Sequence, residues 1–123
     1  LERMAAKDDL GRRGERIAER ALAARGYEIL DRNWRCSEGE IDLVALDGAS
    51  LVFVEVKTRT STAFGHPFEA ITPGKLSRLR RLAAAWLNEH GPVRGATRLR
   101  VDAIGVLAPR GAPATIEHLE GIF

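Results

Sequence analysis

The sequence contains a single cysteine, Cys36, so it can form no internal disulfide and no cysteine-based zinc site. It has no apolar run approaching the roughly 20 residues needed to cross a bilayer. Its N-terminal region is Arg-rich and acidic by turns and lacks the apolar segment of a secretory leader, so a cytoplasmic location is expected. Internal repeats and linker-like stretches are absent too. The chain therefore reads as one domain over 1–123, with its core at about 8–107.

What is present is the composition of an ordinary soluble globule, 45% hydrophobic and 29% charged. The formal net charge is only +2, but it is unevenly spread. Between 75 and 100 stand seven basic residues (Lys75, Arg78, Arg80, Arg81, Arg94, Arg98 and Arg100) against one acid, Glu89. That excess suits a polyanion, and it equally suits a solvated helix face followed by a basic loop.

The chemistry concentrates in 39–57, GEIDLVALDGASLVFVEVK. Two apolar, β-branched runs flank Asp47-Gly48, the pattern of a hairpin over 40–46 and 51–59. Side chains alternate along a strand. Glu55 and Lys57 thus share a face with Leu51 and Phe53, while Glu40, Asp42, Val44 and Leu46 share one opposite Ile41, Leu43 and Ala45. A suitable register brings Asp42 beside Glu55. Two ionised carboxylates about 5 Å apart repel by ~3 kcal/mol at an effective dielectric of ~20, so they need a cation. Magnesium takes oxygen ligands, typically one or two protein carboxylates together with phosphate oxygens and water. A nearby Lys can then serve the attacking water or hold a phosphate oxygen as charge develops. The chemistry implied is phosphodiester hydrolysis.

Around this hairpin, Asp8 or Asp9 can cap a helix that runs to Arg25 and stops at Gly26, with Leu10, Gly14, Ile17, Ala18, Ala21 and Leu22 as its buried stripe. Glu15 lies at the edge of that stripe, where it can face the sheet or pair with Arg12 or Arg16 at the surface. A first strand is expected over 27–34, followed by a polar turn at 36–39. The segment 60–71 reads as a long loop carrying His66, a candidate for catalytic assistance or substrate contact, though a loop His before Pro is more often simply exposed. Thr72-Pro73 is a helix start, and Leu76, Leu79, Leu82, Ala83, Trp86 and Leu87 form the apolar face as far as Gly91-Pro92. Trp86 fits the core better than a base-stacking platform. Lys75 and Arg78 fall in the first turns of that helix, where its dipole favours an anion. A strand over 98–107 follows, in which Asp102 is a candidate further acid of the site but better suits a structural ion pair with Arg100 or Lys57. An edge strand over 115–119 comes after a Pro/Gly loop.

An acid on one strand, a turn, and Glu-x-Lys on the next resembles the core of the PD-(D/E)xK nuclease superfamily, here Asp42 followed by Glu55-Val56-Lys57. The superfamily's proline before the first acid is replaced by Ile41. More narrowly, Gly14-Glu15, Arg32-Asn33, Gly39-Glu40-Ile41-Asp42, the run from Phe53 through Arg59, and Ile71-Thr72-Pro73-Gly74-Lys75 resemble the bacterial YraN-like family, whose fold is similar to that of Holliday-junction resolvases. The resemblance spans 11–106. It implies an α/β fold, a mixed sheet flanked by helices in the order α-β-β-β-α-β. It also implies an endonuclease-like hydrolase of structured or branched DNA that uses Mg2+, with Mn2+ as a substitute. Asp42, Glu55, Lys57 and Glu15 are then the catalytic candidates, and Asp42, Glu55, Val56 and Glu15 the metal-binding ones. Arg35, Arg59, Lys75 and Arg78 are candidate nucleic-acid contacts, and resolvase-like folds leave room for a homodimer. Two other classes fit the same residues: a catalytically silent nucleic-acid-binding module, and a structural or protein-interaction domain in which the charges form a surface ion-pair cluster.

Overall fold

A computed structural model of the chain describes residues 2–63 and 65–122, with side chains from Asp8 onward. Phe64, one of two phenylalanines in the long loop, lies outside the described residues. The elements run α1 (Glu2–Ala24), β1 (Glu28–Cys36), β2 (Gly39–Asp47), β3 (Ser50–Arg59), a 3-10 turn (Pro67–Ala70), α2 (Pro73–His90), β4 (Arg98–Leu107) and β5 (Thr115–Leu119). They form one five-stranded sheet in the order β1-β2-β3-β4-β5. All neighbours are antiparallel except β3 and β4, which α2 connects as a parallel pair. The expected mixed sheet flanked by helices is the observed architecture. No helix among the described residues is long and apolar enough to cross a membrane.

The two faces of the sheet are covered separately, which follows from strand alternation. Val52, Val54 and Val56 of β3 join Leu43, Ala45, Ile104 and Val106 beneath Ala18 and Leu22 of α1. Leu51 and Phe53 join Val44 and Val101 beneath Leu79, Leu82, Ala83 and Trp86 of α2. With apolar side chains on both faces, β3 is the central strand. Phe53 is fully buried, and burial of that kind stabilises by about 1.5–3 kcal/mol per large side chain. Trp86 is core as expected: it packs edge-on against Phe53 at 5.8 Å and donates its indole N–H to Asp31 Oδ2 at 2.9 Å.

Three local expectations need correction. The first helix begins at Glu2, not beside Asp8 or Asp9, because the preceding residues are good helix formers with no breaker among them. The first strand extends to Cys36 after a bulge between Ile29 and Asp31. Ile41 packs on the α2 side and not with Leu43 and Ala45, since the regular β2–β3 ladder begins only at Leu43 opposite Val54. The start of α2 matches its sequence signals: Thr72 accepts from the Lys75 N–H at 3.2 Å, and Pro73 occupies the first turn.

Candidate functional site

Where β2 and β3 stop pairing, the strands leave room for side chains. The Val56 N–H, which an unbroken ladder would give to β2 backbone, goes instead to Asp42 Oδ2 at 2.8 Å. This anchors the Asp42 carboxylate at the mouth of the splay. Gly14 lets α1 approach closely there, because a Cβ at that position would come within 2.8 Å of the Thr58 Cβ and overlap its hydroxyl. That close approach carries the next residue, Glu15, over the end of β2.

The result is a cleft of about 400 Å³ bounded by α1, β2, β3 and the first turns of α2. Along one wall stand Glu15, Glu40 and Asp42, with a carboxylate oxygen of each within 4.8 Å of the others. At that separation each ionised pair repels by about 3.5 kcal/mol for an effective dielectric of ~20. Glu55, Val56 and Lys57 form the floor, and Lys75 and Arg78 face them from α2.

Electrostatics differ between the walls. Burial pushes the Asp42 carboxyl up to about 8, helped by the charges of Glu55, Glu15 and Glu40, while the hydrogen bond from the Val56 N–H pulls the other way. On the opposite side Lys57 bridges to Glu55 Oε1 at 2.8 Å. The Lys57 charge, together with burial, lowers the Lys75 ammonium below the usual lysine range, and Glu55 partly offsets this. Glu15, Glu40 and Asp42 crowd one wall, where Arg12 bridges two of them, and Lys57, Lys75 and Arg78 gather around Glu55 on the other.

Of the residues singled out in the sequence, Asp42, Glu55, Val56, Lys57, Glu15, Lys75 and Arg78 all line this cleft. Glu15 thus faces the sheet, and it also accepts from Arg12 at 3.1 Å, so both alternatives for it hold at once. Arg35 and Arg59 are not among the lining residues: Arg35 pairs with Glu40 at 2.9 Å, and Arg59 donates to the Thr58 carbonyl at 3.1 Å. His66 stands apart from the cleft, bonded to Glu117 at 2.7 Å and accepting from the Phe68 N–H. Asp102 is structural. Its buried carboxylate accepts from Arg100 at 2.9 and 3.1 Å, from the Gly121 N–H, and bonds His118 at 2.7 Å. Burial alone would raise its pKa, but these hydrogen bonds hold it below the usual carboxylate range.

The basic stretch divides between the two expectations for it. Lys75 and Arg78 reach the cleft, whereas Arg81 pairs with Glu38 and Arg100 with Asp102 and Asp47. Glu40 lines the cleft and Asn33 bonds it from outside, two roles that the residue pattern did not single out. Glu40 accepts from Arg12, Asn33 and Arg35, and the Asn33 amide also reaches Glu15. The signal for Glu40 was its two-residue spacing from Asp42 on one strand; no periodicity marks Asn33.

The family model described as "Uncharacterised protein family UPF0102" matches residues 14–106. The chain belongs to that family. The UPF0102 match begins at Gly14 and Glu15 and runs through Asn33, Glu40, Asp42, Glu55, Lys57, Lys75 and Arg78, so it takes in most of the cleft but neither Arg12 nor β5. A UPF0102 protein of Beutenbergia cavernae is 58% identical over 119 residues, covering 97% of this chain and 99% of the relative. The UPF0102 protein Lxx14785 of Leifsonia xyli is 58% identical with the same coverage, and one from Streptomyces griseus is 54% identical over 121 residues, 97% of this chain and 99% of its own length.

Proposed function

We propose that this protein is a metal-dependent endonuclease that hydrolyses phosphodiester bonds in structured or branched DNA. The observation that carries this reading is a cleft in which carboxylates from α1, β2 and β3 meet two ammonium groups, Lys57 and Lys75, and two guanidinium groups, Arg12 and Arg78. A hard divalent cation such as Mg2+, or Mn2+ in its place, suits an all-oxygen carboxylate donor set. Asp42, Glu55 and Glu15 would hold it beside Val56, with Glu40 as a further ligand. Such an ion, when bound, supplies an activated water and offsets charge on the phosphate.

The chain's own groups do the rest. Lys57, fixed by Glu55, donates to the non-bridging oxygen of the scissile phosphate as its charge grows. Lys75 and Arg78, in the first turns of α2, hold the neighbouring phosphate where the helix dipole favours an anion. Arg35 and Arg59 extend the contact outward along the strand. Cutting both strands of a junction would require two clefts, hence a homodimer, which sedimentation with and without branched DNA tests. For the activity itself, the test is cleavage of branched, nicked and single-stranded DNA with magnesium. Loss of cleavage in Asp42→Asn and Lys57→Ala is expected, and activity unchanged in either overturns the assignment.

One observation favours a second reading. Arg12 already bridges Glu15 and Glu40, and Lys57 already pairs with Glu55, so much of the acid charge is balanced from within. A nucleic-acid-binding module that does not turn over would use the same basic wall. If about six basic residues met phosphates, log affinity would fall with log salt at a slope of roughly -5, without metal-dependent cleavage.

A further inference from the structure

We propose that Asn33 is a positioning residue for the acid wall: its one amide nitrogen clamps Glu15 and Glu40 together and so sets the affinity of the cleft for a divalent cation. This rests on the metal-dependent reading above and goes beyond it, because Asn33 is not itself a ligand and does not line the cleft.

Asn33 is the only non-glycine residue with positive φ among the described residues, at 49°. Asparagine tolerates this left-handed region better than almost any other side-bearing residue. Its neighbours in β1 are committed elsewhere, Arg32 to Glu19 and Trp34 to Glu89. The turned backbone between them sends the Asn33 amide to two elements at once. Nδ2 donates to Glu15 Oε1 on α1 at 2.7 Å and to Glu40 Oε1 on β2 at 2.8 Å.

The chemistry fixes which way the amide lies. The nitrogen has two hydrogens and meets two carboxylates, whereas a flipped amide would set its oxygen against both. Arg12 bonds the same two acids at 3.1 and 3.5 Å, but it brings a positive charge that competes with a cation. Asn33 is neutral. It restricts the two carboxylates without cancelling their charge, and each carboxylate retains further lone pairs for an ion. Outer-shell partners of this kind typically change metal affinity 10–100-fold when removed.

The experiment is calorimetric titration of the full chain with Mn2+, alongside urea unfolding of each variant. Asn33→Gly keeps the positive φ accessible and removes only the amide; it is expected to bind Mn2+ about 10–100-fold more weakly while remaining folded. Asn33→Asp keeps the side-chain shape and loses the donors while adding a negative charge. Charge alone would tighten Mn2+ binding in that variant, whereas loss of the clamp leaves it no tighter than wild type. Binding by Asn33→Gly within about threefold of wild type, or tighter binding by Asn33→Asp, overturns the inference while leaving the metal site standing. A wild-type chain that takes up no Mn2+ at millimolar concentration defeats the metal-dependent reading itself, and the inference with it.

Discussion

The raised pKa of Asp42 makes a stability prediction with a definite sign. The folded carboxyl titrates near 8, against about 3.9 for an unfolded Asp. Below pH 4 both states hold the proton and Asp42 contributes nothing to the pH dependence. Between pH 4 and 8 the unfolded chain is ionised while the folded chain keeps its proton, so stability falls by up to about 1.4 kcal/mol per pH unit. At pH 7 the accumulated penalty has a ceiling of about 4 kcal/mol, and water reaching the open cleft lowers it. Above pH 8 it levels off. Asp42→Asn removes the titration while its amide oxygen can still accept from the Val56 N–H. The variant should therefore match wild type near pH 4 and exceed it by roughly 2–4 kcal/mol at pH 7, measured by urea unfolding in the presence of EDTA. A divalent cation should reverse the order by ionising Asp42. Because the Asp42 carboxyl keeps its proton at pH 7, ion binding there should release a proton, which calorimetry in two buffers of different ionisation enthalpy would read. Parallel pH profiles for the two proteins, or an Asn variant less stable than wild type at pH 7, would show that Asp42 is ionised in the folded chain.

Other perturbations separate the cleft from the scaffold. Gly14→Ala gains about 1 kcal/mol of helix propensity but forces α1 off Thr58, at a cost of about 1–3 kcal/mol; a lowered urea midpoint is expected, partly recovered by adding Thr58→Ala, and full stability in the single variant would contradict the close approach. Asp102→Ala takes the shared acceptor from Arg100, His118 and the Gly121 N–H, while Arg100 keeps Asp47 and Tyr27 and His118 keeps Arg25, so it should destabilise by up to about 3–5 kcal/mol yet leave Mn2+ affinity of the folded chain unchanged; altered affinity would mean that this network is coupled to the cleft. Lys75→Ala should weaken DNA binding evenly across sequences and make the slope of log affinity against log salt shallower by about 1, as fluorescence anisotropy over a salt series would show. An unchanged slope would remove Lys75 from the phosphate contacts.

Local chemistry was sufficient for most of the fold. Thr72-Pro73 and Gly91 bound α2 because a cap and a breaker act on the residues beside them, and the unbroken apolar run from Leu51 to Val54 marks a strand buried on both faces. The order and direction of the strands followed from connection lengths: a tight turn at Asp47-Gly48 makes neighbours antiparallel, while a helix between strands permits a parallel pair. The shared face of Glu55 and Lys57 was legible for the same reason, since spacing along an unbroken strand fixes which side chains lie together.

How the acids meet depends on packing between elements. Strand alternation assumes an unbroken ladder, and it fails where β2 leaves β3: Ile41 turns to the α2 side and Asp42 takes a backbone N–H in place of a neighbouring strand. Glu15 reaches Asp42 only because Gly14 brings a helix against Thr58, a contact between residues 44 positions apart. Asn33 bridges Glu15 and Glu40 from a backbone conformation that no pattern of hydrophobic residues encodes. Secondary structure follows from each residue and its near neighbours, but the charge state and spacing of the cleft depend on distances between separate elements, and those exist only once the chain has packed.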